Sequence, residues 1–220
     1  MASGNRFIDL LRDCQVTELL HFTQVSNLHS ILEHGLVPRS VLDNNKVDYA
    51  WSDPLRLDDQ LNSISLSITC FNWEMFRAVR HRLDRSEWVV LAIDAMILPG
   101  AKCRFYPRNA ASGEYSRSQK SFRSIYAFEA MFEDRSPYGL FKGSSYRTES
   151  NLQSNMTTDP QAEVLYEGTI PISYIKGAWV EDESLGKELD RHFIEEVGHE
   201  IDVLIKPIEP RHSNRYSNWG

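Results

Sequence analysis

The chain has 220 residues, 41% of them hydrophobic and 25% charged, which is ample for one domain with a real core and ordinary for a globular protein. No apolar stretch approaches the roughly 20 residues needed to cross a bilayer, the opening Met1-Ala2-Ser3-Gly4-Asn5-Arg6 lacks the apolar run of a secretory leader, and Cys14, Cys70 and Cys103 form no CxxC pair. A membrane span, a disulfide framework and a cysteine zinc site are thus disfavoured, a reducing cytoplasm is expected, and the net charge of −7 excludes coating nucleic acid by bulk electrostatics while allowing a local basic patch.

In chain order, residues 8–11 suggest a short amphipathic helix and residues 19–23 a strand. Leu28, Ile31 and Leu32 recur at helical spacing, so a helix is expected over 26–34, with Ser26 as its N-cap and Gly35 as its left-handed stop. Residues 43–62 are polar, carry Asp53-Pro54 and read as loop. Residues 63–69 alternate strictly, which makes a strand burying Ile64, Leu66 and Ile68. The serines of its other face permit close approach of a ligand or line a solvent face.

Residues 73–83 follow a 3.6-residue period with Met75, Phe76, Val79 and Leu83 on one side. Residues 88–93 suit a buried strand and residues 118–132 a helix. The stretch 133–158 is long, polar and rich in Gly, Ser, Asn and Tyr, and a loop of that length in a compact domain is functional or disordered. Strands are expected at 162–166, 174–180 and 202–205, and a helix at 185–197. Residues 1–206 then form one domain, and 207–220 a flexible tail.

Strands and helices interleave without regular βαβ alternation, and neither GxGxxG nor GxxxxGK[ST] occurs. An α+β domain with antiparallel or mixed sheets flanked by helices is the expectation.

Glu163 stands out. It lies mid-strand in an apolar-leaning run and shares a face with Leu165, and a charge in that position is costly to bury unless it is paired or used. A structural glutamate paired with an arginine is the bland alternative. Two basic clusters, Arg77-Arg80-His81-Arg82-Arg85 and Arg104-Arg108-Arg117-Lys120-Arg123, are by default solvated faces.

His21-Phe22-Thr23, followed by Ser30-Ile31-Leu32-Glu33-His34-Gly35-Leu36, resembles the opening of ADP-ribosyltransferase folds. With Phe71-Asn72-Trp73-Glu74-Met75-Phe76, the long polar segment and Gln161-Ala162-Glu163-Val164-Leu165, the chain resembles the DarT family over residues 17–180. These are bacterial toxins that attach ADP-ribose from NAD to bases in single-stranded DNA. The resemblance implies NAD as co-substrate, no metal, single-stranded DNA as substrate and a cognate antitoxin that hydrolyses ADP-ribosyl-DNA.

By the same resemblance, His21, Phe22 and Thr23 hold the nicotinamide end of NAD. The segment from Leu28 to Gly35 flanks the adenosine end, and Met75 packs near the pocket. Arg56 serves the pyrophosphate and, with Glu163, is a catalytic candidate: either of the two takes the proton that an attacking base nitrogen loses. Arg77, Tyr138, Tyr146 and Arg147, with Phe141 and Lys142, are expected to contact DNA. RNA or protein as acceptor, and a non-catalytic NAD-binding module, are the alternatives. Thymine and guanine are both used in the family, and the Asn-Trp-Glu-Met-Phe segment departs from the aromatic, Pro-containing version of the thymine branch, which turns the expectation towards guanine.

The chemistry needs such a glutamate. Breaking the nicotinamide–ribose bond builds positive charge on the sugar, which a carboxylate stabilises. A charge pair at about 4 Å in a partly screened site is worth roughly 4 kcal/mol, or on the order of several hundred-fold in rate.

Overall fold

The computed structural model describes residues 2–50, 60–83, 86–116, 122–139 and 142–209. Helix α1 (Ala2–Asp13) is longer than the expected 8–11, and its Phe7 and Leu11, four apart, are buried on one face. Strand β1 (Glu18–Gln24) follows, then a 3-10 turn (Val25–Asn27) and α2 (Leu28–His34). The helix thus starts later than expected, and Ser26 is not its cap. Asn27 takes that position but makes no capping bond, because its side-chain amide is bonded to Thr23 and Ala50.

Gly35 ends α2 at φ 77°, and a Cβ there would sit 2.3 Å from the Ile170 carbonyl oxygen. The close approach comes from a backbone bridge between Leu36 and Ile170, so position 35 demands glycine on two counts. Helix α3 (Arg39–Asn45) has no counterpart in the sequence reading. It begins after Pro38, ends at Lys46 in the left-handed region and buries none of its side chains, so it carries no apolar stripe to read.

Strand β2 (Ser63–Ile68) buries Ile64, Leu66 and Ile68 as expected. Thr69 then turns the chain at φ 60° and brings Asn72 to cap α4 (Trp73–Arg82), its Oδ1 accepting the Met75 N–H at 3.1 Å. Strands β3 (Trp88–Asp94) and β4 (Cys103–Tyr106), a short helix α5 (Gly113–Ser116), α6 (Ile125–Glu129) and a 3-10 turn (Ala130–Phe132) come next. The single helix expected over 118–132 is thus shorter: Ser124 caps its start by accepting the Ala127 N–H, and residues 118–121 lie outside the described residues.

The polar stretch after Glu133 holds one helical turn, α7 (Tyr146–Glu149). Strand β5 (Glu163–Glu167), β6 (Ile175–Val180), α8 (Glu183–His192) running into a π-helical turn (Phe193–Val197), and β7 (Asp202–Ile205) complete the described chain. Ile208 is buried beside Trp179 and its N–H donates to Glu181, so the packed chain runs past the boundary expected at 206.

The strands form one mixed sheet in the order β4-β5-β2-β1-β3-β6-β7, antiparallel throughout except for the parallel β6–β7 pair. Helices cover both faces, as expected of an α+β domain. On one side α1, α2, α6 and α8 bury the main core around Leu19, Val89, Leu91 and Ile93. On the other, α4 packs Phe76 and Val79 against Leu20, Trp88, Val90 and Trp179. Strand β3, apolar on both faces, runs through the middle, which is why its sequence is a continuous apolar run.

The sheet also opens at its centre. Seven residues of β1 pair with β3, but β1 meets β2 only at Leu19↔Ile68 and Leu20↔Ser67. Beyond Leu20 the two strands part.

Candidate active site

A cavity of about 430 Å³ lies where β1 and β2 separate. Its walls include His21, Phe22 and Thr23 of β1, Gly35 at the end of α2, Met75 of α4 and Glu163 of β5. Ser65 of β2 lies between His21 and Glu163 and bonds to both. Its backbone carbonyl accepts from His21 Nδ1 at 2.9 Å, and its hydroxyl donates to Glu163 Oε1. A carbonyl only accepts, so Nδ1 carries a proton, and whenever the ring is neutral Nε2 is an acceptor.

Glu163 opens β5, opposite Tyr106 of β4. Its Oε2 accepts the N–H of Ala110 at 3.0 Å, from the turn after β4. Both carboxylate oxygens thus have a donor that offsets part of the cost of half-burying the charge. Leu165, on the same face, is fully buried.

The segments either side of Glu163 are tied down as well. Arg108 Nε donates to Asp159 Oδ2 at 2.8 Å, and the Gln161 N–H donates to Asp159 Oδ1 at 2.8 Å. Burial pushes the Asp159 carboxyl above the usual range, opposed by the Gln161 N–H and by Arg108. At the far end of β5, Glu167 pairs with Arg123 and with Arg104, and the bond from Arg123 chiefly holds its carboxyl below the usual range.

The opposite wall is built from β1 and α2. Thr23 is buried and accepts from Asn27 Nδ2 at 2.9 Å, while Asn27 clamps both the N–H and the carbonyl of Ala50 at 2.7 and 2.6 Å. One amide therefore fixes the start of α2 and the chain near residue 50 against β1. Two arginines the sequence reading did not assign to the cavity, Arg39 and Arg82, line it. Arg39 donates to the Tyr49 hydroxyl at 3.3 Å and lies over its ring, and Tyr49 in turn donates to Asp43. Arg82 belongs to a cluster expected on a solvated helix face, but α4 turns it and Met75 towards the cleft. Arg56 lies outside the described residues.

Cysteine chemistry is a poor competitor. Burial, and then the Glu167 charge, pushes the Cys103 thiol up to about 12, and burial raises that of Cys14. Among the described residues no group of three or more His, Cys, Asp or Glu stands together as metal ligands would.

The family model described as ssDNA thymidine ADP-ribosyltransferase, DarT, matches residues 20–213. The chain belongs to the DarT family. No curated protein matches it. Among solved structures, the Thermus sp. 2.9 DarT complex with NAD+ superposes with a TM-score of 0.56, at 16% identity over 87% of this chain and 96% of that one. The same protein in complex with ADP-ribosylated ssDNA matches with a TM-score of 0.52 at 16% identity, over 87% of this chain and 95% of that one. Thermosipho africanus DarTG in complex with ADP-ribose matches with a TM-score of 0.52 at 16% identity over 86% of this chain, which spans 50% of that longer protein. These likenesses establish the DarT fold.

Several residues expected to serve the site in a DarT-type chain fall elsewhere. Leu28 sits in the main core, because α2 turns Leu28 inward to the sheet while Ser30 and Ile31 line the cleft. Tyr146 is 2% exposed and packs with Cys70 and Met156, so its ring has no free face for a base. Arg147 donates from its guanidinium to Thr158 Oγ1 and the Gln153 carbonyl, both at 2.8 Å, and so staples the loop. Tyr138 is 67% exposed, and Arg77 is exposed with a bond to Glu74 at 2.9 Å. Lys142 is exposed, and Phe141 lies outside the described residues.

Proposed function

We propose that this DarT-family chain transfers ADP-ribose from NAD to the base of a thymidine in single-stranded DNA, with Glu163 as its catalytic carboxylate. The observation that carries the reading is the Glu163 carboxylate in the wall of a cavity of about 430 Å³, each oxygen accepting one hydrogen bond. The cavity volume is that of a small-molecule site. Its lining suits a dinucleotide: arginines for phosphates, hydroxyl and amide groups for ribose, and Phe22 and Met75 for flat rings.

When bound, NAD supplies the ADP-ribosyl group and nicotinamide as a neutral leaving group. Glu163 stabilises the positive charge that develops on the ribose. Ser65 and Ala110 hold the carboxylate still, so little of that stabilisation is spent on reorienting it. His21, whose Nδ1–H donates to the Ser65 carbonyl, presents Nε2 as an acceptor when the ring is neutral. The thymine ring nitrogen must lose its proton as it bonds to the sugar, and Glu163 is the carboxylate assigned to take it. Arg39 and Arg82 are assigned to the pyrophosphate, a role the sequence reading gave to Arg56. The family description favours thymidine, against the sequence-based lean to guanine.

We also read the chain as the toxin of a toxin–antitoxin pair, supported by the family and by the likeness to the longer DarTG protein. Its three free cysteines support a reducing cytoplasm.

The test is mass spectrometry of oligonucleotides after incubation with NAD. The intact protein adds one ADP-ribose to single strands containing thymidine, and Glu163→Gln adds none. Strands lacking thymidine, strands lacking guanine, and RNA serve as further arms. No adduct on any DNA strand overturns the reading, and an adduct only on strands containing guanine overturns the choice of base.

A further inference from the structure

The ladder between β4 and β5 ends at Tyr106↔Glu163, so Glu163 sits on the last pair, where the two chains leave the sheet. Beyond it, the turn after β4 carries the Ala110 N–H that holds Glu163 Oε2. That turn is shaped by Asn109, whose Oδ1 accepts the Ala111 N–H at 2.8 Å. The Asn109 bond stays within the turn and does not reach the segment that precedes Glu163. The bond between Arg108 and Asp159 does.

Arg108 precedes Ala110 by two residues and Asp159 precedes Glu163 by four. Their side chains meet at 2.8 Å between Nε and Oδ2. Asp159 is 5% exposed and built in on every side: its Oδ1 takes the Gln161 N–H at 2.8 Å, and its carbonyl takes the Thr157 hydroxyl at 2.9 Å and the Ala162 N–H at 3.0 Å. Arg108 also donates to the Pro137 carbonyl at 2.7 Å, next to the exposed Tyr138. One guanidinium therefore joins the turn holding the Glu163 donor, the segment leading into Glu163, and the polar loop.

We propose that Arg108 and Asp159 are positioning residues that set the orientation of Glu163 by holding the Ala110 N–H against it across the open end of the β4–β5 ladder. The proposal rests on the reading of Glu163 as the catalytic carboxylate. Neither residue lines the cavity, and both act on Glu163 through Ala110. A surface ion pair at this place would contribute little. This pair differs because one partner is buried and spans two segments that meet at the reactive group, and small misplacement of such a group is costly in rate.

The predicted signature is a split between rate and binding. Asp159→Asn keeps the side-chain oxygen facing the Gln161 N–H but weakens the hold on Arg108. In NAD-dependent modification of a thymidine-containing single strand, kcat falls roughly ten- to a hundred-fold while KM for NAD stays within about three-fold. Arg108→Lys, which keeps the charge but not the two-pronged fork, recovers part of the loss seen in Arg108→Gln. If Asp159→Asn does not fold, Arg108→Gln alone reads the same split, since its half-exposed side chain can be removed with less damage.

A folded variant with unchanged kcat overturns the proposal, as does a rise in KM with kcat intact. A purely structural pair would lower the melting temperature without the split and without rescue by lysine. If the intact protein modifies no DNA, the functional reading itself has failed. If it does, and these variants keep its kcat, only the positioning pair has failed.

Discussion

The hydroxyl of Ser65 donates to Oε1 of Glu163, a residue 98 positions further along the chain, across the β2–β5 ladder. The backbone carbonyl of the same serine accepts from His21 Nδ1 at 2.9 Å. Ser65→Ala removes the first bond and leaves the second. A hydrogen bond to a charged group is worth about 1.5–3 kcal/mol, so kcat for ADP-ribose transfer is expected to fall roughly ten- to a hundred-fold. KM for NAD stays close to its original value, because the His21 bond to the carbonyl survives. Steady-state kinetics decide, and an undiminished kcat would mean that the Ser65 hydroxyl does not orient the carboxylate.

His21 can be dissected in the same way. His21→Asn places an amide N–H near the position of Nδ1 and keeps a donor for the Ser65 carbonyl, while removing the Nε2 acceptor. His21→Ala removes both. Calorimetric titration with NAD should show weaker binding in both variants, whereas thermal unfolding should show a loss of about 1 kcal/mol in the alanine variant only. Equal destabilisation would mean that the ring packs the strand and the hydrogen bond adds nothing.

The strands that could be read from the sequence are those whose burial follows a simple rule. Strand β2 alternates, β3 is apolar on both faces, and β5 holds its charge at the sheet opening. Strand β4 escaped because four residues interrupted by Arg104 carry too little pattern, and α3 because it buries nothing. In the site, His21 and Glu163 were legible through short motifs that keep their own neighbours. Ala110 and Asn27 were not, because each acts through a bond between distant segments, and Arg39 and Arg82 were not, because a cavity-lining arginine and a solvated one look alike in sequence. The Ala110–Glu163 bond spans 53 residues and uses a backbone N–H, which has no signature in side-chain identity. Tyr146 and Arg147 misled for the opposite reason: aromatic and basic residues in a polar loop look like a nucleic-acid surface until the loop folds onto them.

Gly35 is expected to tolerate no side chain. Its φ is 77° and a Cβ would lie 2.3 Å from the backbone oxygen of Ile170, which cannot move aside as a flexible side-chain tip can. Gly35→Ala should lower stability by more than about 1 kcal/mol, as measured by urea unfolding. NAD affinity should fall with it, since Gly35 lines the cavity.

The two tyrosines of the polar loop should separate cleanly. Tyr146→Ala empties a buried aromatic site and is expected to cost about 3–5 kcal/mol of stability. Tyr138→Ala removes an exposed ring and should change stability by less than about 0.5 kcal/mol. If Tyr138 stacks on an unpaired base, the same change weakens single-strand binding by about 1–3 kcal/mol in an anisotropy titration. Unchanged binding would remove Tyr138 from the DNA surface.

Two carboxylates give the acid stability curve opposite slopes. Glu167 is held below its ordinary value, chiefly by the bond from Arg123, so its folded pKa lies under its unfolded one. Its contribution is therefore complete above the unfolded pKa and is lost as pH falls through the folded one. Asp159 is raised, chiefly by burial, so its contribution is complete below its unfolded pKa and is lost as pH rises through its folded one. Urea midpoints taken from about pH 3 to pH 7 should show Glu167→Gln flattening the acid-side loss and Asp159→Asn removing a decline above the ordinary carboxylate range. If Glu167→Gln leaves the acid limb as steep as before, the Arg104–Glu167–Arg123 cluster does not stabilise the end of β5, and Glu163 is then held chiefly by Ser65 and by the turn after β4.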